Sequence, residues 1–386
     1  MYFGKKINFF LADADNPVQI DGETWNNYLP LGRKNKKGIT FESLSYGDYF
    51  LEVSSFVESN DFGVITQAVY LQSGKRISSK DVNEINVFLE KHGEFYHPSR
   101  IEVVSDRKRN SFVLNVAVSA AGNRYIENEY ICLNRLNNDF PFAFIPEVYG
   151  ENFIGEKSKV DIRMFLGQWF EGYNEFHITC RQNKKRIIVW DPVEDHYLLS
   201  KKQTIELYHQ AAYILTSYYN PETFEQIFPW HHAAGDFILK LQDDKIDLKL
   251  ITVRGYSSPV EKNNIQHDPA SVLEALLVFF LNLSIRIRLD RLDGVGDPAW
   301  AENVSVDGMV SGFLKALESK KNVKSIPAPL DESFYYYFST IISEAELYGL
   351  ALDIVDSYNR LSGEVSLIKQ NLESHIGLLY QTICGT

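Results

Sequence analysis

Cysteine is scarce in this sequence of 386 residues. The three cysteines, Cys132, Cys180 and Cys384, lie far apart and form no Cys-x-x-Cys pair. That spacing argues against a disulfide framework and against a cysteine zinc site. The first residues also lack the apolar core and the cleavage site of a signal peptide. We therefore expect a protein of the reducing cytoplasm.

Positive charge is in short supply as well. The 39 lysines and arginines are outnumbered by 51 aspartates and glutamates, which gives a net charge of -12. This balance argues against a uniformly basic surface, and we expect no nucleic-acid partner. Short basic runs at residues 33–37, 107–109 and 184–186 lie in turn-like contexts. Such runs are typical of solvated loops.

Long apolar runs are missing too. The most apolar segment, residues 272–287, is interrupted by Glu274, Asn282 and Arg286. It is too short and too polar for a membrane span, so we predict a buried helix and no membrane association.

Several common site motifs are absent from the sequence. It contains no Gly-x-Ser-x-Gly, His-Glu-x-x-His, Walker A or Gly-x-Gly-x-x-Gly run. Their absence removes the most frequent hydrolase, zinc peptidase, nucleotide triphosphatase and dinucleotide-binding interpretations. We predict no dedicated metal site.

Aromatic residues, by contrast, are plentiful, with 22 Tyr and 25 Phe, so the core should be bulky. Strands are predicted at residues 49–57, 63–71, 100–105, 111–119, 163–170, 175–180 and 186–190. Helices are predicted at residues 79–91, 124–136, 205–219, 269–287, 305–320, 331–361 and 364–383, the fourth opened by Asp268 and Pro269. Strands come first and helices later, which indicates an α+β protein.

The stretch from Pro229 to Lys240 holds the densest group of polar side chains between apolar elements. It contains His231, His232, Gly235 and Asp236 and leads into apolar residues. A second strand-like run, residues 248–256, follows it closely. Polar groups at a turn between rigid elements are typical of a functional site.

Three roles stay open for His232 and Asp236. They could form a base with its orienting acid, supply two ligands of a metal site, or satisfy backbone groups of the loop. Arg254 lies on the apolar run that follows, and a buried arginine needs a partner. Asp236 and Glu129 are the candidates, and the pair would serve either anion binding or a structural salt bridge.

Three further groups have a functional and a structural interpretation. Glu175 and His177 are two apart on a strand and so share a face, either lining a cleft or pairing along the strand. Three arginines, Arg286, Arg288 and Arg291, are followed by Asp290 and Asp293, and they are predicted either to anchor a helix end through ion pairs or to form a site for an acidic partner. The run from Tyr335 to Tyr337 is predicted to be packing.

The order of these elements resembles the protein-kinase-like fold, and in particular the aminoglycoside-phosphotransferase branch. The likeness covers residues 98–386. It implies a two-lobed kinase-like fold, with a sheet-rich N-lobe at 98–172 and a mainly helical C-lobe at 173–386. Residues 1–97 would then be an N-terminal extension.

The resemblance can be carried over residue by residue. Ser119, in Val116-Ala-Val-Ser119, stands where kinases have their phosphate-binding lysine, and Glu129 or Glu127 stands where the next helix offers that lysine a glutamate. The hinge falls on Gln168–Gly172, which includes Trp169 and Phe170. The catalytic base position falls on His232, one metal position on Phe237, and the other near Thr252. No glycine-rich phosphate loop lies between residues 100 and 113.

These departures imply a pseudokinase-like protein. Phosphoryl transfer depends on Mg²⁺ and lysine to neutralise phosphate charge, and both binding positions are changed. The resemblance therefore implies a small molecule or a protein bound in the cleft between lobes, near Trp169, Phe170, Ser119, Glu129, Thr252 and Arg254. It is compatible with nucleotide binding but argues against Mg²⁺. Two alternatives are an atypical small-molecule phosphotransferase using His232 and Asp236, and an interaction protein whose helical tail, residues 331–383, meets a partner.

Overall fold

A computed structural model describes most of the chain. The described residues are 6–12, 14, 16–30, 44–93, 95–106, 108–153, 161–191, 195–230, 232–260, 268–320, 323–358 and 363–385. His231, the basic run 33–37 and residue 107 lie outside them. The chain divides into two units, Met1–Glu171 and Gly172–Thr386. It is an α+β protein, with a large sheet in the first unit and most of the helices in the second.

The first unit is built on a six-stranded sheet. Its strands are β1 (Lys6–Leu11), β2 (Val82–Leu89), β3 (Ser99–Ser105), β4 (Lys108–Ala117), β5 (Val148–Asn152) and β6 (Arg163–Gln168). Their order is β1-β2-β3-β4-β6-β5, and all neighbours are antiparallel except β1 and β2. Residues 1–97 thus supply two strands to the same sheet as the residues that follow.

Three helices accompany this sheet: α1 (Glu23–Asn26), α2 (Tyr46–Ser73) and α3 (Ala120–Asp139). The strands predicted at 49–57 and 63–71 are wrong, because both segments lie in α2. Ser45 and Asp48 form a capping box at its start, and Gly74 ends it with a φ of 69°. Residues 59–62 have non-helical backbone angles, so α2 is two helical segments joined by a break.

The helix predicted at 79–91 is also wrong. Those residues form a short 3₁₀ turn and then β2, which lies between β1 and β3. Val82, Ile85 and Leu89 do fall at helical spacing, but pairing on both edges of β2 decides its conformation. Its buried residues pack with those of α2 in the core of the first unit.

The predicted helix at 124–136 is confirmed as α3. Its seven buried residues include Ile126, Leu133 and Leu136, and Tyr130 packs against Phe165 of β6 with ring centroids 5.8 Å apart. Ser119 caps the helix, because its side chain accepts a hydrogen bond from the Gly122 N–H at 3.1 Å.

The second unit combines short strands with long helices. Its strands are β7 (Glu175–Arg181), β8 (Lys184–Trp190), β9 (Tyr197–Leu198), β10 (Gln226–Ile227), β11 (Phe237–Gln242), β12 (Lys245–Leu250), β13 (Tyr256–Ser257), β14 (Leu289–Arg291) and β15 (Pro298–Trp300). Its helices are α4 (Lys201–Ser217), α5 (Ala233–Asp236), α6 (Pro269–Arg286), α7 (Val304–Ser319), α8 (Leu330–Tyr336), α9 (Glu344–Asp356) and α10 (Gly363–Cys384).

Most of the predicted helices in this unit are confirmed. Asp268 caps α6 and Pro269 stands in its first turn, as the sequence indicated. The helix predicted at 331–361 is instead α8, a π-helical turn at Tyr337–Ile341 and α9. The basic run at 184–186, predicted as a loop, opens β8.

The long helix α6 is apolar enough to be either a membrane-spanning helix or a buried helix of the core. Among the described residues it is the one helix long and apolar enough to cross a membrane by those two criteria, and half of that window is buried in the protein. Its buried residues include Val272, Leu276 and Phe280, which are fully enclosed. Burial on this scale fits the predicted core helix.

Candidate functional site

The polar stretch at the centre of the sequence forms a sharp turn that leads into a hairpin. His232 is extended, Ala233–Asp236 make one short turn, and Gly235 has a φ of 92°. That angle lies in the left-handed region that glycine adopts without strain. The turn leaves Asp236 2% exposed at the head of β11, which pairs with β12.

The carboxylate of Asp236 pairs with Arg254. Arg254 Nη1 lies 2.8 Å from Asp236 Oδ1, and the two side chains are 18% and 3% exposed. The backbone carbonyl of Asp236 also accepts a hydrogen bond from the Ile251 N–H at 2.9 Å. The turn and the segment after β12 are therefore joined by an ion pair and by a main-chain hydrogen bond. Of the two partners predicted for Arg254, Asp236 is the one the structure shows.

His232 contacts a different acid. Its Nε2 lies 3.3 Å from Glu364 Oε1 near the start of α10, and Arg291 Nη2 lies 3.9 Å from the same oxygen. The structure thus gives His232 and Asp236 separate charged partners, Glu364 and Arg254, on distant parts of the sequence. No sequence pattern pointed to Glu364, because its nearness to His232 depends on how α10 folds back.

The two positions that the resemblance assigns to metal ligands have different environments. Phe237 is fully buried and pairs with Leu250 in the β11–β12 hairpin. Thr252 is half-buried in the segment after β12, which ends at Leu250 rather than continuing to residue 256 as predicted. Among the residues that the structure describes, no three His, Cys, Asp or Glu side chains are grouped so that they could hold a metal ion.

The predicted site residues of the first unit have mainly structural contacts. Ser119 is the cap of α3, and Glu129 is 2% exposed on the same helix. Glu127, the other glutamate considered, pairs with Arg163 of β6. Ser119 therefore caps a helix at the position where a kinase has a phosphate-binding lysine.

Trp169 and Phe170 follow β6 and are both half-buried. Trp169 belongs to a group around Arg100 that sequence reasoning missed. The Arg100 guanidinium lies 4.0 Å from the centre of the Phe88 ring and 5.7 Å from that of Trp169, and its Nε donates to Glu90 at 2.8 Å. This arrangement stacks a cation against two aromatic rings on one face of the sheet.

Next to Arg100, a row of polar side chains crosses four strands. Asn8 donates to Asn86 at 2.8 Å, Asn86 donates to Glu102 at 3.0 Å, and Arg109 donates to both oxygens of Glu102 at 3.0 and 3.1 Å. Asn86 and Glu102 are buried. These hydrogen bonds link the side chains of the row to one another, so we assign the row the role of fixing the register of the neighbouring strands.

His177 forms a buried charged centre in the second unit. Its Nδ1 lies 3.3 Å from Asp290 Oδ1, its Nε2 lies 3.9 Å from Glu175 Oε2, and its ring is 4.5 Å from that of Trp190. Burial lowers the pKa of His177, but the hydrogen bonds and charges of Asp290 and Glu175 outweigh it and raise the pKa to about 9. Of the two interpretations of this strand face, pairing is the one observed.

Asp290 is held by more than the histidine. Its other oxygen accepts the Ile178 N–H at 2.6 Å, which ties β14 to β7. Of the ion pairs predicted for the three neighbouring arginines, the described residues show one for Arg291, whose Nη2 lies 3.9 Å from Glu364 Oε1. Arg288 instead donates to Ala301 O at 2.6 Å and to Asn303 Oδ1 at 3.0 Å, and burial lowers its pKa to about 10.

The tyrosine run near α8 is not the packing that was predicted. Tyr335 and Tyr336 are 41% and 61% exposed, and Ile341 and Tyr348 nearby are also exposed. The apolar positions that pack the tail are on other faces of its helices, such as Leu347 and Leu372, both fully buried.

No protein-family model matches the sequence, and a search of curated proteins finds no match.

Proposed function

We propose that this chain is a diverged kinase-like protein that binds a small molecule or a protein partner and does not carry out conventional phosphoryl transfer. The observation that carries the proposal is the ion pair between Arg254 and Asp236. Asp236 is the acid closest in sequence to the position where a kinase-like site would hold its metal.

The ion pair matters because a carboxylate that is already paired with an arginine has little capacity left to coordinate a metal ion. Mg²⁺ requires oxygen ligands with nearly ideal octahedral geometry and is held through one or two carboxylates together with substrate phosphates. Asp236 is 2% exposed and has an arginine at hydrogen-bond distance. Binding Mg²⁺ there would require Arg254 to leave a partly buried site and lose its counter-charge.

Two further residues support the same proposal. Ser119 uses its hydroxyl to cap α3, so this position supplies no cation for phosphates. Phe237 is enclosed in the core of the hairpin, so its position supplies no metal ligand. Asp236, Ser119 and Phe237 thus all stabilise the fold, whereas a phosphotransferase uses charged groups in this part of its site to bind metal or phosphate.

Nucleotide binding and turnover test the proposal directly. Thermal denaturation is measured with ATP, with and without Mg²⁺, and ADP formation is followed with peptide, aminoglycoside and water as acceptors. We expect no Mg²⁺-dependent stabilisation and no ADP. Stabilisation by Mg²⁺ and ATP together with product formation would contradict the proposal.

Variants of the ion pair separate a structural role from a catalytic one. Asp236→Asn removes the negative charge that faces Arg254 Nη1 and should lower the free energy of unfolding by about 3 kcal/mol, the range for breaking a buried pair. The double variant Arg254→Met/Asp236→Leu replaces both charges by apolar groups and should recover most of that loss. If Asp236→Asn instead abolished a measurable phosphotransfer while stability was unchanged, Asp236 would be a catalytic residue and the atypical phosphotransferase would be the better interpretation.

One observation favours the alternative of an interaction protein. The described part of the tail exposes Tyr335, Tyr336, Ile341 and Tyr348. Self-association, measured by sedimentation velocity, is the simplest form of this function. It predicts that Tyr336→Ser/Ile341→Ser shifts the chain towards monomer, and a wild-type chain that stays monomeric at high concentration would count against it.

A further inference from the structure

A cavity of about 340 Å³ lies within the second unit, bordered by the β7–β8 hairpin, the first turns of α4 and the start of α7. Four cationic residues line it: Lys184, Lys185 and Arg186 on β8 and Lys201 at the first position of α4. Among the described residues of its lining, Glu302 is the only acid. Four positive charges and one negative charge leave an excess of three positive charges in a protein whose net charge is -12.

This local excess differs from the buried charged groups of the unit. Arg254, His177 and Arg288 are at least partly buried and have close acceptors in the same unit. Lys184 and Arg186, by contrast, are exposed, and both border the cavity. Like charges held this close repel one another, and an anion between them would remove that repulsion.

The helix start at the cavity adds to the positive potential. Ser200 caps α4 by accepting the Gln203 N–H at 3.3 Å, and α4 has 17 residues. The N-terminal end of a helix carries a partial positive charge and favours anions within its first turn. Lys201 stands in that turn, so charge and dipole act at the same side of the cavity.

The rest of the lining is apolar and points to an organic ligand. Ile178, Ile187 and Leu199 border the cavity, and Tyr208 borders it with a buried ring. A volume of about 340 Å³ is at the lower end of the range for small-molecule pockets, roughly 300–1,000 Å³. The space suits a compact molecule with an anionic end and a small uncharged body.

We propose that this cavity binds a small phosphorylated metabolite. Its phosphate lies towards the cationic part of the lining, and its organic part lies against the apolar part. Phosphate fits because it offers several strong acceptor oxygens and about two negative charges, which a cluster of lysine and arginine side chains matches. The site lies apart in sequence from Arg254 and Asp236, so it goes beyond the proposed function and can fail without it.

Calorimetric titration of the full chain tests this proposal, with ribose 5-phosphate, inorganic pyrophosphate and a short single-stranded oligonucleotide as probes at constant ionic strength. The triple variant Lys184→Gln/Arg186→Gln/Lys201→Gln removes three exposed cations of the lining. The control Lys202→Gln/Lys245→Gln/Lys324→Gln removes three exposed cations of the same unit that do not line the cavity. We expect ribose 5-phosphate to bind the wild type and the control alike, and to bind the triple variant about tenfold more weakly.

Four results would overturn the proposal. One is equal affinity in the wild type and the triple variant. Another is an absence of binding by ribose 5-phosphate and by pyrophosphate up to about 10 mM, which corresponds to a binding free energy weaker than about 2.7 kcal/mol. Binding of pyrophosphate alone would show an inorganic anion site without a place for the organic part. Binding of a single-stranded oligonucleotide alone, lost in the triple variant, would assign the surface to nucleic acid.

Discussion

Replacing His177 by glutamine should remove a pH-dependent clamp within the second unit. His177 on β7 lies between Asp290 of β14 and Glu175 of its own strand, with Trp190 against its ring. Two carboxylates at these distances favour the protonated imidazole, which then carries a full positive charge between them. Glutamine has a similar polar reach but carries no charge, so the variant isolates the electrostatic part.

The size of the effect follows from the pKa. Its ordinary value is 6.5, and Asp290 and Glu175 overcome the cost of burial and raise the pKa to about 9. Each pKa unit corresponds to about 1.4 kcal/mol, so protonation of His177 contributes about 3 kcal/mol to stability at most. Because the pKa is raised by folding, this contribution is fully present below pH 6.5 and is lost as the pH rises through about 9.

Other groups titrate in the same range, so the comparison must be between variants. Lys320 is an example, because burial lowers its pKa to about 8 although its ammonium donates to Ser217 O and Tyr219 O. Its effect has the opposite sign, since deprotonation above pH 8 relieves the cost of a buried charge. The free energy of unfolding by urea is therefore measured at several pH values from 6 to 10 for the wild type and for His177→Gln, and the difference removes what they share.

We expect a difference of about 3 kcal/mol near pH 6 that shrinks towards zero near pH 10. A direct NMR titration of the His177 ring should give a midpoint near 9. His196→Gln is the matched control, because His196 is exposed in the same unit and its loss should change stability little. A difference that stays constant with pH, or a ring that titrates at or below 6.5, would refute this account of the clamp.

Three further predictions concern single side chains. Burial and the charge of His92 lower the pKa of His97 to about 4. The folded protein therefore resists protonation of His97, and this lowers its stability as the pH falls from 6.5 towards 4. His97→Gln should make the acid unfolding transition, measured by circular dichroism, less steep. Ser119→Ala removes the cap of α3 and should lower the free energy of unfolding in urea by about 1 kcal/mol, without changing the affinity for a bound ligand. Ser119→Asp should retain the cap and the stability. Gly294→Ala should destabilise the second unit by about 1–3 kcal/mol, since Gly294 has a φ of 72° and a Cβ there would lie 2.8 Å from His177 Nε2; a thermal midpoint equal to that of the wild type would count against this packing.

The helices were predictable where local signals and periodicity agreed. Asp268 and Pro269 mark the start of α6, and the spacing of buried residues in α4 and α7 follows one helical face. Local signals failed for α2 and β2. The apolar residues of α2 are spaced closely enough to resemble the alternating apolar and polar pattern of a strand. β2 is buried on one face and paired on both edges, so its strand conformation depends on residues far away in sequence.

The candidate site was predictable only in part for the same reason. Arg254 and Asp236 lie 18 positions apart around one hairpin, and a buried arginine on an apolar run must find an acid, so their pairing could be expected. The partners of His177 and His232 could not. Asp290 and Glu364 lie more than a hundred residues further along the chain, and only the folded arrangement of β14 and α10 brings them close.

The distribution of charge in the second unit indicates where a ligand can gain binding energy. Buried charges such as Asp236, Asp290 and Arg288 have close partners within the protein, so a ligand that used one would have to replace an interaction already made. Lys184 and Arg186 are exposed beside a cavity with an apolar wall, where an incoming anion reduces repulsion instead. Binding energy for an anionic ligand is therefore available at the cavity, while the charged groups of the central turn are engaged in holding the fold.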